Sequence, residues 1–123
     1  MLLVCLATPL GGCDRPEVAV VCHNANCTNP VDPSRDDTVA ALSASLALED
    51  DGRPVLDGVE IDLLWSAGTN ACLFAHDHAQ ARPDSAARVA ELLAAHLEAP
   101  DARPSHGSPF YLKLDLKSAV DAD

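Results

Sequence analysis

Basic residues are scarce. The 123-residue chain carries 8 Lys+Arg against 19 Asp+Glu, a formal net charge of -11. No stretch gathers the few cations into a patch. A field of this sign repels a polyanion unless a basic patch compensates, which argues against a nucleic-acid partner. The same field draws in a metal cation. The chain also lacks any apolar run near the ~20 residues that a bilayer-spanning helix requires. Its five cysteines include no CxxC pair and no Cys/His spacing of the zinc type, which argues against a structural zinc site. Internal repeats and low-complexity tracts are missing too. What is present is 48% hydrophobic residues, enough for one modest globular domain.

Residues Leu2 to Leu10 form a short apolar run, closed by Gly11, Gly12 and Cys13. A run of this length followed by small residues reads as the core of an export signal. Its ending resembles a bacterial lipobox, in which the cysteine (here Cys13) is lipidated and becomes the first residue, giving membrane association through a lipid anchor. No Lys or Arg precedes the run, and a buried N-terminal strand or helix is the other reading of the same residues. Export places Cys22, Cys27 and Cys72 in an oxidising compartment, where disulfides persist. Cys22 and Cys27 are close enough in sequence to staple the loop between them. The division expected is therefore a signal segment over residues 1–13 and a folded domain over 14–123.

Four strands are expected. Val18–Cys22 is apolar and β-branched, as buried strands are. The stretch from His23 to Asp37 is rich in Asn, Pro and Asp and reads as loop. A helix is expected to start at Asp36 or Asp37 as N-cap, with Val39, Leu42 and Leu46 on its apolar face, and to end by Asp50–Pro54. Gly58–Trp65 is the second strand, Ala71–His76 the third, after a turn at Ala67–Asn70. Asp84-Ser85 opens a second helix with Val89, Leu92, Leu93 and Leu97 on one face. Phe110–Lys117 is the last strand. Strands interleaved with helices predict βα units and a largely parallel sheet, an α/β fold. A complete (β/α) barrel takes ~250 residues and eight strands, so four strands correspond to about half of one. Such a half requires further chain, or a second chain or copy, to close.

The chemistry sits in polar residues of otherwise apolar strands. Glu60 and Asp62 are two apart and share a strand face, with Val59, Ile61 and Leu63 on the other. Lys113, Asp115 and Lys117 likewise oppose Leu112, Leu114 and Leu116. In a barrel the leucines meet outer helices and the charged rows point inward, where charge is costly unless paired or bound to metal. Glu60, Asp62 and Asp115 would form a hard-oxygen site suited to Ca²⁺ or Mg²⁺. His23 and His76 each stand where a strand gives way to loop. Two imidazoles beside a metal suit phosphodiester cleavage, one taking a proton from the attacking oxygen and one giving a proton to the leaving oxygen. Taken singly, a Glu-x-Asp pair is more often half-exposed strand surface, and a lone histidine is more often structural. The joint order His, Glu-x-Asp, His, Asp-x-Lys carries the reading.

Gly58-Val59-Glu60-Ile61-Asp62 followed by Phe74-Ala75-His76-Asp77 resembles the glycerophosphodiester phosphodiesterase pattern within the phospholipase C-like phosphodiesterase superfamily. The resemblance spans residues 18 to 117. It implies a partial TIM-type barrel, hydrolysis of glycerophosphodiesters or phospholipid headgroups, and a divalent metal held by Glu60, Asp62 and the fourth-strand acid, Asp115. His23 and His76 match the family's acid/base pair, and Lys117 its phosphate-contacting lysine. That family has His-Arg-Gly where this chain has His23-Asn24-Ala25, and usually Glu where it has Asp115. His-Asn resembles the eukaryotic phosphatidylinositol-specific phospholipases C, in which the asparagine is a calcium ligand, which adds Asn24 to the metal set. Asp-Leu-Lys resembles the sphingomyelinase D branch. Asp77, Asn24 and His78 are expected near metal or substrate, while His96 and His106 have no expected role. Two other classes fit the same carboxylates: a non-catalytic exported lipoprotein binding module or degenerate barrel fragment, and an α/β domain that binds calcium for stability alone.

Overall fold

In the computed structural model, the residues described are 2–5 (backbone only), 18–28, 32–77, 84–99 and 109–117. In chain order the elements are β1 (Leu2–Cys5), β2 (Val18–Cys22), a 3-10 turn (His23–Ala25), a second 3-10 turn (Pro33–Arg35), α1 (Val39–Leu46), β3 (Glu49–Asp50), β4 (Arg53–Pro54), β5 (Gly58–Ser66), β6 (Ala71–Phe74), β7 (Asp84–Ser85), α2 (Ala86–Glu98) and β8 (Tyr111–Lys117). The fold is mixed α/β, dominated by one sheet with two helices, and no closed barrel is formed among the described residues. The expected segment 1–13 is described only at β1, whose backbone pairs antiparallel with β2. Cys13 lies outside the described residues, as do His78 and His106.

β5 is the spine of the sheet. β8 runs parallel to it from Gly58↔Tyr111 to Leu64↔Lys117. β2 pairs in parallel with Gly58 and Val59, and β6 pairs antiparallel with Leu63–Ser66. A strand has two edges, and β8 overlaps both partners along β5. β2 and β6 therefore share the other edge in tandem, one at each end.

The antiparallel β6 corrects the expectation of a largely parallel sheet. Only the short turn Ala67–Asn70 joins β5 to β6, whereas a parallel partner needs a crossover of a dozen or more residues. β6 also ends at Phe74, so His76 stands two residues beyond the strand.

The helix after β2 starts later than expected. Thr38 is the N-cap of α1, its hydroxyl accepting from the Ala41 N–H at 3.1 Å, a contact worth ~1 kcal/mol. Asp37 is thereby released to turn inward. Asp50–Pro54, expected only to end the helix, forms a β3–β4 hairpin that turns at Asp51 (φ 50) and Gly52 (φ 73). Ser85 caps α2 as expected, accepting from the Arg88 N–H at 3.2 Å.

The core lies on one face of the sheet. Val59, Ile61 and Phe74 pack there with Leu42 and Leu46 of α1 and Val89 and Leu93 of α2. Ser45 ties α1 to the turn after β2: its Oγ donates to the Ala25 carbonyl at 2.9 Å and accepts from the Cys27 N–H at 2.9 Å. The Cys22–Cys27 disulfide staples the same turn, with Cα atoms 5.7 Å apart. Leu112, Leu114 and Leu116, expected to meet outer helices, are instead exposed (49%, 48% and 72%). Leu97 is exposed as well, so the buried stripe of α2 is narrower than its sequence pattern. No helix among the described residues is long and apolar enough to cross a membrane.

Candidate metal and acid/base site

The polar face of β5 and β8 carries the site, and the strand register sets its pairs. Glu60 stands opposite Lys113, Asp62 opposite Asp115, and Leu64 opposite Lys117. Glu60 and Asp62 are buried, at 3% and 1% exposure. At such depth a carboxylate needs a cation or hydrogen-bond donors to remain charged.

Glu60 finds both. Lys113 Nζ donates to its Oε1, and His23 Nδ1 faces its Oε2. Burial alone would push the Glu60 carboxyl up, but the hydrogen bonds from Lys113 and His23 outweigh it and hold the group below the ordinary value. The bond to Glu60 in turn raises the Lys113 ammonium. His23 reaches this position because the chain turns sharply after β2, with Asn24 (φ 51) and Ala25 (φ 55) both left-handed. The imidazole remains half exposed.

Asp62 takes a different set of neighbours. Its Oδ2 lies 3.0 Å from His76 Nδ1 and 3.2 Å from Lys117 Nζ. Lys117 also holds Asp115 Oδ2 at 2.6 Å, which lowers the Asp115 carboxyl and raises the lysine. The Asp62 backbone N–H donates to Asp37 Oδ1 at 2.9 Å, and Asp37 Oδ2 lies 3.4 Å from His76 Nδ1. Asp37 is fully buried (0% exposed). Burial, with the nearby Asp62 charge adding to it, pushes its carboxyl up to about 6, although the Asp62 N–H and His76 pull the other way.

One ligand atom each from Asp37, Asp62 and His76 lie within 4.8 Å of one another, and this group could hold a metal ion. Two carboxylates and an imidazole supply mixed oxygen and nitrogen donors. The four expected ligands are placed differently from one another. Asp62 belongs to the group. Glu60 is engaged by Lys113 and His23, and Asp115 by Lys117. The Asn24 side chain donates to Asp36 Oδ2 at 3.2 Å. His76, expected to act as acid or base, stands among the candidate ligands. Lys117 lies on the site face as expected, and Asp77 follows His76 at the exposed rim.

Asp37 was not among the residues expected at the site. The one trace of it in the sequence is redundancy: Asp36, Asp37 and Thr38 are three successive residues able to cap α1, and only one is needed. Asp36 is used by Asn24 and Asn26, and Thr38 takes the cap. His96, which had no expected role, stacks edge-to-face on Phe110 with ring centroids 5.5 Å apart. Comparison with protein-family models, curated proteins and solved structures returns no match to this chain.

Proposed function

We propose that this chain carries the metal-binding and acid/base residues of a metal-dependent phosphoric diester hydrolase, on the first strands of a (β/α) barrel. The substrates expected are glycerophosphodiesters or phospholipid headgroups. The observation that carries the proposal is one sheet face on which buried Glu60 and Asp62 each hold a half-exposed histidine, with two lysines beside them.

The carboxylates define which histidine nitrogen works. Glu60 at Nδ1 of His23 fixes the tautomer and leaves Nε2 to take a proton from the attacking hydroxyl or water. Asp62 and Asp37 stand at Nδ1 of His76 in the same way, leaving its Nε2 for the proton passed to the leaving oxygen. Lys113 and Lys117 add positive charge where a phosphate would sit. A divalent ion, Ca²⁺ or Mg²⁺, held through oxygens of Asp37 and Asp62 would neutralise phosphate charge and lower the pKa of the nucleophile, with His76 kept on the carboxylates as the acid. Export through Cys13 would place this activity at the cell envelope.

A second reading is a non-catalytic exported binding module. It is favoured by the engagement of Glu60 and Asp115 with lysines of the same chain. Hydrolysis of bis(4-nitrophenyl) phosphate and glycerophosphocholine, with Mg²⁺ or Ca²⁺ and with EDTA, separates the two. We expect metal-dependent turnover that falls ~10²-fold or more in His23→Ala and in His76→Ala, with circular dichroism unchanged. Turnover that resists EDTA or survives both substitutions would remove this site from the chemistry. Metal binding without turnover would favour the binding module.

A further inference from the structure

His23 is bracketed by the two halves of a disulfide. Cys22 directly precedes it and Cys27 lies a few residues on, with Cα atoms 5.7 Å apart. To close so small a ring the chain must reverse at once. It does so through Asn24 (φ 51) and Ala25 (φ 55), both left-handed. Neither is glycine, and a residue with a Cβ enters that region at a cost. The far side of the turn is tied to α1 and its N-terminal approach. Ser45 holds the Ala25 carbonyl and the Cys27 N–H, and the Asn24 carbonyl accepts from the Asp37 N–H at 2.9 Å. The disulfide carries this anchoring back across His23 to the end of β2. The His23 ring itself is half exposed and set against Glu60.

We propose that the Cys22–Cys27 disulfide is a positioning device for His23, so that this group is in place only in the oxidised chain. The inference rests on the assignment of His23 as the base in the reaction proposed above. With the disulfide formed, a covalent ring enforces the reversal, and the left-handed turn sets the imidazole on Glu60. With two thiols in its place, Asn24 and Ala25 relax toward ordinary backbone and the ring leaves the carboxylate. Cys22 is fully buried and Cys27 only partly so, which makes the Cys27 sulfur the one that an external partner reaches. The Cys27 thiolate attacks a disulfide of an exchange partner in the receiving compartment, and the Cys22 thiolate then displaces that partner from the mixed disulfide. Two electrons and two protons leave the chain, and the partner departs as a dithiol. A chain exported as proposed gains its disulfide only after leaving the reducing compartment in which it is made. Its hydrolytic chemistry stays idle until then.

Turnover of bis(4-nitrophenyl) phosphate with Mg²⁺ gives the first readout. Dithiothreitol should lower kcat about tenfold or more, part of the worth of a positioned base. KM reflects metal and lysine contacts that stay in place, and should move less than about threefold. Cys22→Ala/Cys27→Ala should match the reduced wild type and respond no further to dithiothreitol, which sets aside Cys5, Cys13 and Cys72. Ala25→Gly added to that variant accepts left-handed backbone without a Cβ and should recover kcat roughly threefold or more. The second readout needs no turnover. Imidazole ¹⁵N–¹H spectra at about pH 9, where an ordinary imidazole is neutral, report the His23 tautomer, its signal identified by loss in His23→Ala. The oxidised chain should carry the proton on Nδ1, toward Glu60, and the reduced chain should shift to the Nε2–H form, with circular dichroism unchanged. The same tautomer in both states overturns the proposal, whether or not the chain hydrolyses phosphodiesters. A loss of kcat that Ala25→Gly does not relieve overturns it too, as does a dithiothreitol response that persists in Cys22→Ala/Cys27→Ala. A tautomer that follows the disulfide without any turnover retires the hydrolase and keeps the positioning of His23.

Discussion

At the scale of single residues, Asp37 is the group whose placement is hardest to explain by stability. It is fully buried, its Oδ2 and that of Asp62 flank the same His76 nitrogen, and its carboxyl is pushed up to about 6. The folded chain thus binds this proton more tightly than the unfolded chain, whose reference value is 3.8. Stability contributed here is present at low pH and falls as pH rises through the window from 3.8 to about 6. Asp37→Asn keeps an oxygen for the Asp62 N–H and removes the buried charge. In EDTA at pH 7.5 the variant should be more stable than wild type by roughly 1–2 kcal/mol in urea titration, with the gain shrinking toward pH 4. Calorimetry should show its Mg²⁺ or Ca²⁺ affinity reduced at least tenfold. A variant that is less stable and binds metal as wild type does would mean that Asp37 is an ordinary structural acceptor.

At the scale of elements, the pairing of β5 with β8 depends on a glycine. A Cβ added to Gly58 would meet the Tyr111 carbonyl oxygen and lie 2.7 Å from Tyr111 Cβ. Backbone in a paired strand has little room to retreat, so Gly58→Ala should cost ~1–3 kcal/mol and disturb the register that brings Lys113 to Glu60. Gly68→Ala, which meets nothing within 4 Å, should stay within ~0.5 kcal/mol of wild type; equal effects of the two substitutions would count against a close-packed β5–β8 pair. Much of this pairing is legible in the sequence. A strand pleat has period two, so Glu60 with Asp62, and Lys113 with Asp115 and Lys117, are fixed to common faces by spacing alone. The caps at Ser85 and the strand-end position of His23 are local signals of the same kind. The direction of β6 is legible too, since the turn Ala67–Asn70 is too short for the crossover that a parallel partner requires. What spacing cannot reveal is a contact such as that of Asp37 with the Asp62 N–H, which joins positions 25 residues apart. The exposure of Leu112, Leu114 and Leu116 is equally hidden, because periodicity identifies an apolar face without saying what covers it.

At the scale of the whole molecule, two electrostatic effects compete. The net charge of -11 destabilises the compact state by self-repulsion, while the ion pairs of the site favour it. Salt weakens both, but unequally. Repulsion between surface carboxylates acts over long distances and is strongly cut as the Debye length falls from ~30 Å at 0.01 M to ~8 Å at 0.15 M. Pairs reaching into the buried Glu60 and Asp62 are short and less accessible to ions, whereas an exposed pair such as Arg88–Glu91 contributes only ~0–1 kcal/mol at any salt. Relief of repulsion should therefore win. Thermal unfolding in EDTA should show the midpoint rising between 0.01 and 0.15 M NaCl. Replacing EDTA and NaCl by MgCl₂ of equal ionic strength separates screening from binding. Screening alone predicts the same midpoint, whereas occupancy of the Asp37–Asp62–His76 group adds stability in proportion to the logarithm of free Mg²⁺ above its dissociation constant. The increment should vanish in Asp62→Asn. A midpoint that falls with NaCl would show that the ion pairs of the site, rather than the acidic surface, govern the stability of the chain.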